Sequence, residues 1–212
     1  MTLTKICGLT TPEAVEAALV GGAAYLGFNF FDASPRRIAM DAAARLAVPA
    51  RGKSRIVAVT VDPADDLIDR LKRLLAPDLI QLHGQESPSR VQEVAQRAGV
   101  GVIKALSVEG PAEIASGRAF EGVAEHLMFD AKAPKDAAMP GGHGRAFDWS
   151  LLAGQRFERP WFLAGGLDPW NVAGAIAASG APMVDVSSGV ERGPGLKDPA
   201  LITRFLSAAG RA

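Results

Sequence analysis

Eight short apolar or β-branched runs, alternating with longer segments of helical period, predict an α/β chain folded as a single (β/α)8 TIM barrel. Three observations carry that expectation. The runs are regularly spaced through 212 residues, amphipathic segments separate them, and polar residues recur at their carboxyl ends. Short runs that are apolar on both faces are what a parallel sheet covered by helices requires.

The expected strands are Lys5 to Cys7, Tyr25 to Phe30, Ile56 to Val61, Leu79 to His83, Val100 to Ala105, Leu127 to Asp130, Trp161 to Ala164 and Met183 to Ser187. Between them lie TPEAVEAALVGG, a short segment from Met40 to Val48, DPADDLIDRLKRLLAP, SPSRVQEVAQRAG, DPWNVAGAIAASG and DPALITRFLSAAG. Several open with Thr, Asp or Ser before Pro, an N-cap followed by the residue best suited to the first helical position, and several close on Gly or Pro. The glycines of EGPAEIASGRAFEGVAE weaken the helix expected after the fifth strand. No long linker interrupts the pattern, so residues 1–212 read as one catalytic domain.

Apolar residues make up 48% of the chain and charged residues 22%, enough to build a large core. Lys plus Arg and Asp plus Glu number 23 each, so no net charge advertises a nucleic acid or an anionic membrane, and a small molecule is the expected partner. No window approaches the ~18 apolar residues of a membrane span, and the amino end lacks the apolar core of a secretory signal. The single cysteine allows no internal disulfide, which fits a reducing cytoplasm. Neither a G-x-G-x-x-G turn after the first strand nor a Walker-A lysine loop is present, which leaves a dinucleotide or ATP without its usual cradle.

Alternate side chains of a barrel strand point inward, and inward polar residues near its carboxyl end lie at the mouth, where barrel enzymes place their active sites. Lys5 and Cys7 share one face of the first strand, and Gln81 and His83 one face of the fourth. Lys104, Asp130, Asp185 and Ser187 are expected to point the same way, while His126 falls at the far end in a capping or surface position. Taken singly, Cys7 could be a packing residue, and His83 and Asp130 could make structural hydrogen bonds. A gathering of buried ionisable groups is costly without compensation, which makes the set more telling than its members. PGGHGRAFDW, LAGGLDPWNV and SSGVERGPGLKD add three glycine-bearing turns in the last third, and those after the seventh and eighth strands suit a phosphate, with Ser187, Ser188 and Gly189 placed to supply donors.

With KICGLT, GFNFF followed by SPRRI, LIQLHG, FDA, GGHGRAFDW, LAGGLDPWNV and VDVSSGVERGPGLKD in this order, the sequence resembles the phosphoribosylanthranilate isomerases of tryptophan biosynthesis over nearly its whole length. The resemblance implies a cofactor-free, metal-free Amadori rearrangement of an aminoaldose phosphate to an aminoketose phosphate. It implies Cys7 as general base and Asp130 as general acid. It places Arg36 on the anthranilate carboxylate, His83 and Asp185 in the pocket wall, and the phosphate on Gly166, Ser187, Ser188 and Gly189. Lys5 is a candidate aid to Cys7 ionisation and Asp185 a candidate neighbour to keep Asp130 protonated, while Lys5 and Lys104 are equally consistent with neutralising inward carboxylates, Asp185 as their partner. Asn29, His143 and Arg145 depart from the commoner family pattern.

Two other readings compete. A metal-dependent sugar-phosphate epimerase would need ligands that three histidines, only His83 of them at a strand mouth, do not readily supply; an indole-glycerol-phosphate synthase would need an inward glutamate. A non-catalytic binder of phosphorylated ligands would not need both Cys7 and Asp130. A monomer is expected.

Overall fold

The computed structural model describes residues 2–131 and 146–212, so His143 and Arg145 lie outside the described residues. Eight parallel strands close on themselves in sequence order. They are β1 (Leu3–Cys7), β2 (Tyr25–Asn29), β3 (Arg55–Thr60), β4 (Leu79–Leu82), β5 (Gly101–Val108), β6 (His126–Ala131), β7 (Trp161–Leu163) and β8 (Met183–Val186). Closure is made by β1 and β8, where Lys5 stands opposite Asp185, and on its other side Lys5 faces Tyr25 of β2.

The helices follow the expected signals. Thr11 caps α1 (Pro12–Val20) and Ser87 caps α4 (Pro88–Ala98), each accepting a backbone N–H one turn on, with Pro at the first helical position. Asp198 does the same for α7 (Pro199–Ala209). Between α1 and α4 lie α2 (Met40–Ala47) and α3 (Asp65–Arg70), the latter continuing as a π-helical turn over Leu71–Leu75 that ends at Ala76, φ 46°. The glycine-weakened segment yields only α5 (Pro111–Ser116) and a 3-10 turn. One 3-10 turn, Trp149–Leu152, is the helical element among the described residues between β6 and β7. The helix after β7, α6 (Val172–Ser179), starts later than its Asp-Pro signal, because Asp168 spends its carboxylate on the Trp170 and Asn171 N–H groups in a turn that precedes the helix.

Alternation splits the core in two. Even-numbered β1 to β5 residues such as Ile6, Phe28, Ile56 and Leu82 pack outward against the helices. Val57, Leu79, Ile103, Met128, Phe162 and Met183 fill the barrel with Cys7 and Tyr25. Fully burying each such apolar side chain contributes roughly 1.5–3 kcal/mol.

Two expectations are corrected by this phase. Lys104 does not join the inward set: Ile103 and Ala105 point in, and Lys104 points out, donating to Glu86 Oε2 at 2.6 Å and Gly84 O at 2.7 Å beside the Phe120 ring. A strand buried on both faces has apolar neighbours either way, so the lysine's phase could not be read from them. His126 is not a surface residue. It opens β6 inside the bottom of the barrel, 7% exposed, edge-on to Tyr25 and Phe162. Glu125 Oε1 lies 3.4 Å from Nε2, but neither ring nitrogen makes a well-formed hydrogen bond among the described residues.

Burial holds the His126 pKa below its ordinary value, against the pull of Glu125. The unfolded chain therefore takes up this proton first as pH falls, and the stability associated with neutral His126 is complete above the ordinary 6.5 and lost progressively below it. His126→Leu is expected to flatten the fall of the melting temperature between neutral and mildly acidic pH. An unchanged slope in calorimetric scans across that range would refute the assignment.

Candidate active site

The inward face of β1 carries Lys5 and, one step nearer the mouth, Cys7. Lys5 is fully buried, and its Nζ donates to Asp185 Oδ1 at 2.7 Å across the β1–β8 seam. Burial works against the ammonium, but the Asp185 carboxylate, with help from Cys7, outweighs it and holds the Lys5 pKa above the usual range. Asp185 is thus committed to Lys5. Cys7, 7% exposed, faces Gly27 of β2, where a Cβ would stand 3.1 Å from Lys5 Nζ and 3.2 Å from Cys7 Sγ. The missing side chain is what leaves room for thiol and ammonium together. Burial pushes the Cys7 thiol up, and the nearby Lys5 and Lys197 charges only partly offset it.

On β6, Asp130 is 6% exposed and points into the mouth. Its Oδ1 accepts the Ala131 N–H at 2.9 Å, and its Oδ2 lies 3.3 Å from His83 Nε2, an ion-pair distance without good hydrogen-bond alignment. Gln81 Nε2 stands 3.4 Å from His83 Nδ1, continuing the polar row down the inside of β4. Gly165, φ +86°, walls Asp130 in: a Cβ there would sit 2.5 Å from the Ala131 nitrogen and 3.0 Å from Asp130 Oδ1. Only glycine combines that left-handed backbone with so close an approach.

The loops after β7 and β8 meet backbone to backbone. A Cβ on Gly189 would fall 2.0 Å from the Leu167 carbonyl oxygen, so the turn of Ser187, Ser188 and Gly189 lies directly against the loop containing Gly166. The Gly166 carbonyl accepts from Asn171 Nδ2 at 2.8 Å, which fixes that loop from the other side. Ser187 Oγ donates to the Cys7 carbonyl at 3.3 Å, tying the turn to the end of β1.

Arg36 is 6% exposed in the loop after β2, where Asn29 Oδ1 accepts the Phe31 N–H and starts the turn. Its guanidinium pairs with Glu191, Nε to Oε1 at 2.7 Å and Nη2 to Oε2 at 2.9 Å. Glu191 belongs to a small antiparallel hairpin, β9 (Glu191–Gly193) and β10 (Leu196–Lys197), in which Lys197 is its cross-strand partner. Lys197 Nζ donates to Glu191 Oε1 at 2.6 Å and to the Ser187 carbonyl at 2.9 Å. Sequence reasoning treated GVERGPGLKD only as a glycine turn and missed Glu191 and Lys197. Opposite charges six residues apart around Gly-Pro-Gly were the available signal for a hairpin with a cross-strand pair.

Cys7, His83, Asp130 and Asp185 are thus all inward at or just below the mouth, and Gly166, Ser187, Ser188, Gly189 and Arg36 lie in the loops that rim it. Among the described residues no three His, Cys, Asp or Glu side chains are grouped as a metal-ligand set, and no helix is long and apolar enough to cross a membrane.

A closed eight-stranded parallel barrel with ionisable groups at the carboxyl ends of its strands defines the class: a (β/α)8-barrel enzyme. The N-(5'-phosphoribosyl)anthranilate (PRA) isomerase family model matches residues 4–208. The chain is 65% identical over 209 residues to the N-(5'-phosphoribosyl)anthranilate isomerase of Caulobacter vibrioides, covering 98% of this chain and 95% of that one, and 62% identical over both full lengths to that of Caulobacter sp.. Its fold superposes over both full lengths on the phosphoribosyl anthranilate isomerase of Thermotoga maritima, TM-score 0.89 at 34% identity. It superposes equally completely on a phosphoribosyl anthranilate isomerase in complex with reduced 1-(o-carboxyphenylamino)-1-deoxyribulose 5-phosphate, TM-score 0.86 at 31% identity. The chain belongs to the phosphoribosylanthranilate isomerase family and is an isomerase of tryptophan biosynthesis.

Proposed function

We propose that the mouth converts N-(5-phosphoribosyl)anthranilate to 1-(2-carboxyphenylamino)-1-deoxyribulose 5-phosphate, with Asp130 as general acid and Cys7 as general base. The observation that carries the reading is a buried thiol on β1 and a buried carboxyl on β6, both facing inward at the mouth beside two touching glycine turns. Protonation of the ribose ring oxygen by Asp130 opens the ring to a Schiff base. Removal of the C2 proton by Cys7 then gives an enolamine, which becomes the ketone by moving its enol proton to C1. Gly166, Ser187, Ser188 and Gly189 hold the phosphate, Arg36 the anthranilate carboxylate, and His83 and Asp185 line the pocket.

The test is loss of anthranilate fluorescence when the purified protein meets freshly made substrate; binding without turnover would transfer the reading to a phosphorylated-ligand binder. Residues 1–212 act, in this reading, as one catalytic domain and a monomer of the cytoplasm without metal or organic cofactor, and sedimentation at assay concentration checks the monomer.

The direction of the Cys7 shift has a kinetic consequence. Because burial keeps the thiol protonated above its ordinary 9.0, the reactive thiolate is a minor species at neutral pH. Because the same molecule must also carry the acid's proton on Asp130, kcat/KM is expected to stay level from neutral pH toward the thiol's range and to fall above it. The fall marks ionisation of Cys7, so the residual activity of Cys7→Ser should lack it. A kcat/KM that climbs about tenfold per pH unit from neutral to about pH 9 in the unaltered enzyme would remove the pairing of a Cys7 thiolate with a protonated Asp130.

A further inference from the structure

Three buried charges run in a row from the loop after β2 to the turn after β8. Arg36, Glu191 and Lys197 have side-chain exposures of 7%, 4% and 0%. Glu191 accepts both the Arg36 fork and the Lys197 ammonium, and the Gly195 N–H adds a 3.3 Å bond to the same carboxylate. Lys197 passes the connection on to Ser187 through its carbonyl at 2.9 Å and its hydroxyl at 3.3 Å.

The backbone is shaped to admit this row. Gly8, φ +78°, leaves space that a Cβ would take 2.7 Å from Arg36 Cδ, and Gly195, φ +76°, lets the hairpin close on Pro35, where a Cβ would lie 2.4 Å from the carbonyl oxygen. Buried ion pairs add little net stability, because desolvation offsets their attraction, so an extended one needs another explanation. A long arginine side chain loses much rotamer freedom when it binds, and a carboxylate that grips its planar fork removes that cost beforehand.

We propose that Glu191, itself held by Lys197, is the positioning residue that fixes the Arg36 guanidinium and joins it to the Ser187–Gly189 turn, so that one rigid unit receives both the carboxylate and the phosphate ends of the substrate. This rests on the reading of Arg36 and of that turn given under the proposed function. Burial opposes the Glu191 charge, but Arg36 and Lys197 outweigh it and keep its carboxyl below the ordinary range, so the carboxylate is ionised when the enzyme works.

Steady-state kinetics of Arg36→Met, Glu191→Gln and the double variant separate the clamp from the reading beneath it. Loss of an interaction made equally with substrate and transition state appears in KM, so Glu191→Gln is expected to raise KM about tenfold or more with kcat within about threefold. Coupled residues act non-additively, so adding Glu191→Gln to Arg36→Met should change KM by less than about twofold. If Arg36→Met raises KM and Glu191→Gln does not, the clamp is wrong and the reading of Arg36 stands. If Arg36→Met leaves KM unchanged, that reading falls and the clamp with it. Should Glu191→Gln fold poorly, Glu191→Gln with Lys197→Met, which leaves no buried ammonium stranded, is judged by the same KM rise, and a normal KM there overturns the proposal.

Discussion

Asp130→Asn and Cys7→Ser are each expected to lower kcat by roughly 10²–10⁴-fold, the range over which a positioned acid or base accelerates a proton transfer. Asparagine preserves the shape of Asp130, and its side-chain oxygen can keep the Ala131 N–H bond, yet it has no carboxyl proton to give to the ring oxygen. Gly165 stands so close to Asp130 that the side chain has little freedom to move and let water take over the transfer. Serine keeps the size of Cys7, but its hydroxyl ionises far less readily than a thiol in the same buried place. Substrate contacts survive in both variants, so KM should stay near that of the unaltered enzyme. Stopped-flow anthranilate fluorescence decides the matter: a variant retaining more than about a tenth of kcat does not lack its essential acid or base.

The second large effect concerns stability. Lys5→Met removes the partner of Asp185 at the centre of the barrel and leaves a buried carboxylate, which typically costs about 3–5 kcal/mol. That is a large part of the ~5–15 kcal/mol that holds an ordinary domain together. Lys5→Met combined with Asp185→Leu leaves no charge stranded and is expected to recover most of the loss. Urea unfolding of the single and double variants measures it, and a single variant as stable as the parent chain would show that the pair contributes nothing at this site. Activity is not the readout, since Asp185 lines the proposed pocket.

Much of this architecture was legible in the sequence because the physics that builds a parallel barrel is local. Apolar runs mark strands, and Thr-Pro, Ser-Pro and Asp-Pro mark helix starts. Counting by twos from Cys7, His83 and Asp130 finds which side chains share the inside. That counting failed at Lys104, whose strand is buried on both faces and so gives no alternation to count against. Its carboxylate partner, Glu86, sits in the loop beyond β4, where no strand phase applies. His126 failed for a related reason: a histidine at a strand's amino end suggests solvent, and only the closed barrel puts Tyr25 and Phe162 around it.

In the site, the single residues were legible and their pairing was only partly so. Lys5 was expected to assist Cys7, and its charge does pull the thiol down against burial. Asp185 was open to two readings, as the neighbour of Asp130 or as the carboxylate neutralised by an inward lysine; the β1–β8 register sets it against Lys5. Register between the first and last strands is a property of closure, which no local pattern encodes. Glu191 and Lys197 escaped notice because glycines drew attention to the turn and away from the two charges flanking it.

The interior of the barrel is built in storeys. Tyr25, His126, Phe162 and Met183 make an aromatic and sulfur-bearing floor, the Lys5–Asp185 pair lies above it, and Cys7 and Asp130 face the opening. Mutations on the floor can be sifted for heat and acid tolerance without disturbing the proton-transfer groups, while changes at the rim can explore new substrates with the floor's adhesion intact. Durability and chemistry are therefore written on different levels of the same eight strands, and selection can revise one without erasing the other.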